Sequence, residues 1–351
     1  MEPKKIRERG VKIGRLLPGK KNCITDVEGV KVGHVTLDLP LPNEEYACTG
    51  VTAILPHGEN LFTNKVIAAG HVLNGFGKTT GLIQIDELGV LESPIMLTNT
   101  FAIPAVTQGT LQYMLEQNSD IGETTGTINL VVGECNDSRL NSIRLLPIEP
   151  QHAREAIENA STDACAEGAV GAGKGMICFG YKGGIGTSSR LIKDENSDAS
   201  FTMGALIVSN FGKKEEFFDF RYKSNTKEET PTIENPPDGS IMMVIAIDAP
   251  LSNRQLKRVA KRCGVGLGRT GSHFSNGSGD IVIAFSTSHK ISHDTAELIE
   301  TRHELRDDHP IMNTIFQAAT EVIEEAILNS LSQAVVTKGR KGEVVYPYPF
   351  Q

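Results

Sequence analysis

Between residues 213 and 238 the chain reads KKEEFFDFRYKSNTKEETPTIENPPD, dense in charge and closing on two prolines; from 241 to 247 it reads IMMVIAI, with no polar residue. The first pattern predicts an exposed, poorly packed loop. The second predicts a strand buried on both faces. Gly239 and Ser240 stand at the border between them. Similar apolar runs predict buried strands at 50–56, 130–134, 205–212 and 280–288. Near-alternation of Val27, Val30, Val32 and His34 with polar neighbours predicts a strand pair over 22–34, turning at Glu28-Gly29. Residues 63–76, broken by Gly70 and Gly75, read as a helix opening or a loop. Helical spacing marks 108–117, with Leu111, Met114 and Leu115 on one stripe, and also 151–167. A basic amphipathic helix follows Ser252, a favourable N-cap. The last helix runs from Pro310 to Ser332, with Ile315, Ala319, Val322 and Ala326 on one face. Glycine-rich 168–190 suits strands joined by turns. Helices covering two stacked sheets would use all these elements.

A chain of 351 residues with 39% hydrophobic and 22% charged residues can bury a sizeable core, as one large layered α/β domain or two ordinary ones. The net charge of −8 argues against a nucleic-acid partner. The one basic stretch, Lys4, Lys5, Arg7 and Arg9, reads as a solvated arm. Six cysteines without C-x-x-C spacing predict reduced thiols in a cytosolic protein. The N-terminus lacks the apolar core of a secretory signal, and no apolar run nears the roughly 18 residues of a membrane span. The cytoplasm is the expected location, without membrane attachment.

Two glycine motifs imitate nucleotide sites. Residues 168–174, GAVGAGK, match the start of a P-loop, but Gly175 stands where a hydroxyl should bind Mg²⁺. Residues 266–271, GLGRTG, match G-x-G-x-x-G but follow a helix rather than a strand, so a glycine-rich turn is expected. His289 and His293 are four apart with no H-E-x-x-H pattern, so no metal is expected, and no cofactor.

The junction Asp238-Gly239-Ser240-Ile241 carries more chemistry. A hydroxyl there begins a core strand, preceded by the residue most tolerant of unusual backbone geometry. If the Gly239 carbonyl lies near that hydroxyl, an N→O acyl shift followed by hydrolysis would leave Ser240 with a free α-amine. That amine, of ordinary pKa about 7.7–8.0, can serve as general base to its own hydroxyl. A plain loop serine capping a strand fits the same local pattern.

Longer stretches decide between these readings. NCITDVEGVKVGHVTL (22–37), TGVTAILPHG (49–58), HVLNGFGKTTGLIQIDELGVLESPIMLTNT (71–100), VVGECND (131–137), GAVGAGKGMICFGYKGGIGTSSR (168–190), VSNFG (208–212), DGSIMMVIAIDAPL (238–251) and SGD (278–280) resemble, in order, the DmpA-type aminopeptidase family. That family comprises L-aminopeptidase D-Ala-esterase/amidases and β-peptidyl aminopeptidases. The resemblance implies a four-layer α/β/β/α sandwich of the N-terminal-nucleophile kind, one domain over 1–351. It implies cleavage between Gly239 and Ser240 into an α chain, 1–239, and a β chain, 240–351. These would stay associated in a homo-oligomer, a tetramer of αβ units. It casts Ser240 as nucleophile, Ser278 and Asp280 as the pair that orients it, and Asn210 as oxyanion donor. Asp280 stands where the family has Glu or Asp, so a shorter reach is expected. Glu134 would bind the substrate's free amino group. Asn136 occupies a substrate-binding position where some members have Tyr. The implied activity is release of N-terminal residues from short peptides, amides or esters. The alternatives are an acyltransferase of the same architecture, like ornithine acetyltransferases, and an unprocessed paralogue that binds amino-terminal ligands.

Overall fold

The computed structural model describes residues 2–194, 197–222 and 239–350. In chain order its strands are β1 (Lys31–Pro40), β2 (Tyr46–Leu55), β3 (Asn64–Gly75), β4 (Val90–Leu91), β5 (Ile95–Asn99), β6 (Val131–Cys135), β7 (Ile177–Cys178), β8 (Tyr181–Lys182), β9 (Gly184–Lys193), β10 (Ser200–Asn210), β11 (Ser240–Ile247), β12 (Gly279–Ser292), β13 (Thr337–Lys338) and β14 (Val344–Val345). The α-helices are α1 (Leu82–Leu88), α2 (Ile103–Gln117), α3 (Pro150–Glu158), α4 (Asn253–Thr270) and α5 (Ile311–Ser332).

One sheet has the order β1-β2-β5-β6 and the other β4-β3-β12-β11-β10-β9. Their inner faces meet in one apolar layer, where Ile54, Leu97 and Val131 pack with Val208, Met242, Val244 and Ile283. On the outer face of the larger sheet, Ile207, Met243, Ile245 and Val282 pack against Val259 of α4 and Ile315 and Val322 of α5. On the outer face of the smaller sheet, Val51, Met96 and Val132 meet Val106 of α2 and Ile157 of α3. The result is an α/β/β/α sandwich. The unbroken apolar run of β11 follows directly: even positions face the other sheet, odd positions face helices, and neither side meets water.

The topology also gathers chain ends. β11 and β12 are parallel, so Ser240 and Gly279, the first residue of each, lie side by side. β10 is antiparallel to β11, which brings its last residue, Asn210, opposite Ser240. β3 is antiparallel to β12 and pairs Asn74 with Asp280, beside a register shift between Asp280 and Ile281. Such irregularities re-aim side chains next to functional sites.

Six expectations change. Residues 63–76 form strand β3 rather than a helix opening or loop, because Val66 to Gly70 are buried and no alternation shows. The 22–34 strand pair is instead a 3-10 turn, Ile24–Asp26, leading into β1. The helix expected over 151–167 stops at Glu158, because Ser161 pairs with Val32 through reciprocal bonds of 3.0 and 3.1 Å. GLGRTG lies inside α4 until Gly271; a Cβ on Gly266 would stand 2.5 Å from the Thr320 carbonyl, so the glycine permits close packing on α5. The basic N-terminal arm is docked rather than solvated. Lys5 pairs with Glu167 at 2.8 Å and Arg7 with Glu325 at 2.7 Å, two buried carboxylates that need cations. In the loop after β10, Phe217 and Tyr222 are buried, so its start packs tightly; residues 223–238 lie outside the described ones.

Candidate active site

Ser240 is buried at the start of β11, and its Oγ accepts a hydrogen bond of 3.2 Å from the Gly279 N–H. The same N–H lies 3.3 Å from the carbonyl oxygen of Gly239. One donor therefore addresses both the hydroxyl and the carbonyl of the bond that precedes it. Gly239 is glycine for a steric reason: a Cβ would stand 2.0 Å from the Asn210 carbonyl oxygen and 2.4 Å from Phe211 Cα.

One residue past Gly279, the buried Asp280 accepts a 2.7 Å hydrogen bond from Ser278 Oγ, so the aspartate reaches its serine. Burial pushes the Asp280 carboxyl up to about 6, against the pull of that hydrogen bond. Its second oxygen, Oδ2, is buried with no hydrogen-bond partner among the described residues. Asn74 donates to the Ser278 carbonyl and fixes the Ser278–Asp280 turn from the β3 side. The pair sits beside Ser240 through strand register; among the described residues no side-chain hydrogen bond joins them to its Oγ.

Asn210 is held at both ends of its amide. Its Oδ1 accepts from the Ile177 N–H at 2.9 Å, and its Nδ2 donates to the Asn136 carbonyl at 3.0 Å. The second N–H of that amide has no partner among the described residues. The Asn136 side chain turns back on its own loop, where Oδ1 accepts from the Ser138 N–H at 3.0 Å. Asn136 thus contributes its backbone carbonyl to the site.

Glu134 is buried near the end of β6, a strand packed against β11 from the smaller sheet. Oε1 accepts from the Lys78 N–H at 2.9 Å, and Oε2 accepts from the Thr100 hydroxyl. Gly77 lies between this carboxylate and the start of β12, the neighbour of the Ser240 strand: a Cβ there would lie 3.6 Å from Glu134 Oε1 and 3.7 Å from Gly279 Cα. The site is thus a nucleophile candidate, a polarised carboxyl–hydroxyl pair, a fixed amide and a buried carboxylate, gathered where strand ends of the two sheets meet.

A family model described as peptidase family S58 matches residues 22–345. The chain belongs to peptidase family S58. It is 37% identical to the β-peptidyl aminopeptidase BapA of Sphingosinicella microcystinivorans, over 95% of this chain and 86% of that protein. Among solved structures, the PH0078 protein of Pyrococcus horikoshii OT3 superposes with a TM-score of 0.89 at 48% identity, covering 99% of this chain and 96% of that one. The L-aminopeptidase D-Ala-esterase/amidase of Ochrobactrum anthropi, described as a prototype serine aminopeptidase and a variant of the Ntn-hydrolase fold, also gives 0.89, at 32% identity over 99% and 96%. The S58 chain shares that fold.

Sequence reading missed five contributors to this S58 site: the N–H groups of Gly279, Lys78 and Ile177, the Asn74 amide and the Thr100 hydroxyl. Backbone donors carry no side-chain signature. Thr100 could have been found as the end of the quoted LTNT stretch. Among the described residues, no three or more His, Cys, Asp or Glu side chains converge as a metal site would require, and no helix is long and apolar enough to cross a membrane.

Proposed function

We propose that this chain is a serine aminopeptidase that cuts itself between Gly239 and Ser240 and then uses Ser240 as an N-terminal nucleophile. The observation that carries the reading is the shared Gly279 N–H, 3.2 Å from Ser240 Oγ and 3.3 Å from the Gly239 carbonyl oxygen. In the first reaction, Oγ attacks the Gly239 carbonyl carbon and the oxygen gains negative charge beside that donor. The C–N bond breaks, the amine takes up the hydroxyl proton, and an ester links Gly239 to Ser240. Water hydrolyses the ester, leaving the Gly239 carboxylate and restoring the hydroxyl.

In turnover the freed α-amine takes the Oγ proton as Oγ attacks the substrate carbonyl, then hands it to the leaving amine. The remaining Asn210 N–H donates to the oxyanion. Ser278 and Asp280 hold the polar environment of Ser240 and its amine. Glu134 selects substrates with a free amino terminus. Each of its oxygens has one protein donor and keeps a lone pair for a ligand ammonium, a charge-assisted contact. Substrates are short peptides, amides or esters.

The two chains, 1–239 and 240–351, would remain together, because β11 and β12 of the second lie between β10 and β3 of the first in one hydrogen-bonded sheet. A tetramer of such units is the assembly the family resemblance suggests, and the cytoplasm is the location the sequence reading favours; light scattering of the native protein reads the assembly directly. The experiment for the nucleophile uses an aminoacyl ester substrate, rapid acid quench and intact mass of the separated chains. The expected result is a transient aminoacyl adduct on the chain that begins at Ser240. Turnover at the wild-type rate by Ser240→Ala would remove the reading.

A further inference from the structure

Resting on the oxyanion role of Asn210, we propose that Lys182 is a positioning residue for turnover: it locks the buried hairpin Ile177–Lys182 that presents the Asn210 amide. β7 and β8 pair Ile177 with Lys182 and Cys178 with Tyr181, around a turn at Phe179 and Gly180 with φ of 52° and 75°. Two consecutive left-handed residues make a tight primed turn. Phe179, being neither glycine nor asparagine, is strained there and must be held by its surroundings.

Two hydrogen bonds tie this hairpin to the end of β10. The Ile177 N–H donates to Asn210 Oδ1 at 2.9 Å, and the Phe179 N–H donates to the Phe211 carbonyl at 2.7 Å. The Phe179 ring also meets those of Phe211 and Phe217 at 5.0 and 4.8 Å. The hairpin is thus a clamp on Asn210-Phe211, and the direction of the free Asn210 N–H depends on where Ile177 sits.

Lys182 closes the base of the clamp. Its side chain is fully buried and has no carboxylate partner among the described residues. Its Nζ meets three backbone carbonyls instead: Gly173 at 3.0 Å, Met176 at 2.7 Å and Gly183 at 2.8 Å. Met176 is the residue before Ile177, so Nζ fixes the peptide whose N–H orients Asn210. A buried amino group spent wholly on backbone carbonyls touches no substrate; it sets a loop. Small displacements of such a group can cost about a hundredfold in rate.

The test is a double-mutant cycle on processed enzyme, with kcat expressed per mature active site. Lys182→Met keeps the length of the side chain and removes the three donors. Lys182→Gln, a second variant, restores part of the donation. The expected result for Lys182→Met is a kcat at least about tenfold lower with KM within twofold, Lys182→Gln falling between it and wild type. The double variant with Asn210→Ala should be no more than twofold slower than Asn210→Ala alone, since Lys182 acts on kcat only through the Asn210 N–H. Losses that multiply in the double variant, an unchanged kcat in Lys182→Met, or failure of both Lys182 variants to fold or to self-process would each overturn the proposal. If Asn210→Ala itself keeps its kcat, the oxyanion reading falls and takes the proposal with it. A large loss there beside an unaffected Lys182→Met overturns the proposal alone.

Discussion

Removing the Asp280 charge should stabilise the fold at neutral pH while harming catalysis. The Asp280 carboxyl is fully buried, and its pKa is raised from 3.8 to about 6. At 1.36 kcal/mol per pH unit, this difference corresponds to roughly 3 kcal/mol. Because the folded value lies above the unfolded one, the stabilising contribution is fully present below about pH 3.8 and is lost as pH rises through about 6. Asp280→Asn stays neutral at every pH and keeps an oxygen for Ser278. The comparison is made in a Ser240→Ala background, where both proteins are uncut and no new ammonium draws the carboxyl pKa back down. Unfolding entropy of about 2.1 cal/mol/K per residue over 351 residues converts roughly 3 kcal/mol into a Tm rise of about 4 °C. Scanning calorimetry should show this gap at about pH 8, a smaller one near pH 6, and none below about pH 4. A gap that does not vary with pH, or a lower Tm for Asp280→Asn at pH 8, would refute the reasoning.

Asn210→Ala should lower kcat about a hundredfold with little change in KM, as for loss of one oxyanion donor; steady-state kinetics that moved KM alone would contradict the role. Glu134→Gln should raise KM for free-amine substrates by about ten- to hundredfold, the value of a hydrogen bond to a charged group, while self-cleavage proceeds. Cessation of that cleavage would reassign Glu134. Gly239→Ala should slow self-cleavage severely, because the new methyl would meet the Asn210 carbonyl oxygen at 2.0 Å; a time course on denaturing gels at the wild-type rate would refute the steric argument.

The fold was legible where burial is one-sided or complete over a long run. β11, α4 and α5 stand where their apolar patterns predict them, and Ser252 caps α4 by accepting from the Gln255 N–H. β3 was not legible, since it is covered on both faces only over 66–70, runs on half-exposed, and is punctuated by Gly70 and Gly75, so it shows no period. The end of α3 depends on a pairing with Val32, far away in sequence, which no local window contains. Likewise the arm at Lys5 and Arg7 looks solvated until Glu167 and Glu325 are known to be buried. At the site, the local junction pointed to Ser240, the family resemblance added the other side chains proposed for chemistry, and the structure gathers them at neighbouring strand ends. It could not supply the shared Gly279 N–H or the hairpin behind Asn210. Both depend on which strand ends the topology brings side by side.

The central claim concerns the peptide bond between Gly239 and Ser240. Intact-mass spectrometry of the purified, active protein under denaturing conditions tests it most directly. The account predicts two species, a chain ending in Gly239 and a chain beginning with a free serine amine at position 240, and one undivided species for Ser240→Ala. Full aminopeptidase activity in a preparation containing only the unbroken 37.9 kDa chain would contradict it.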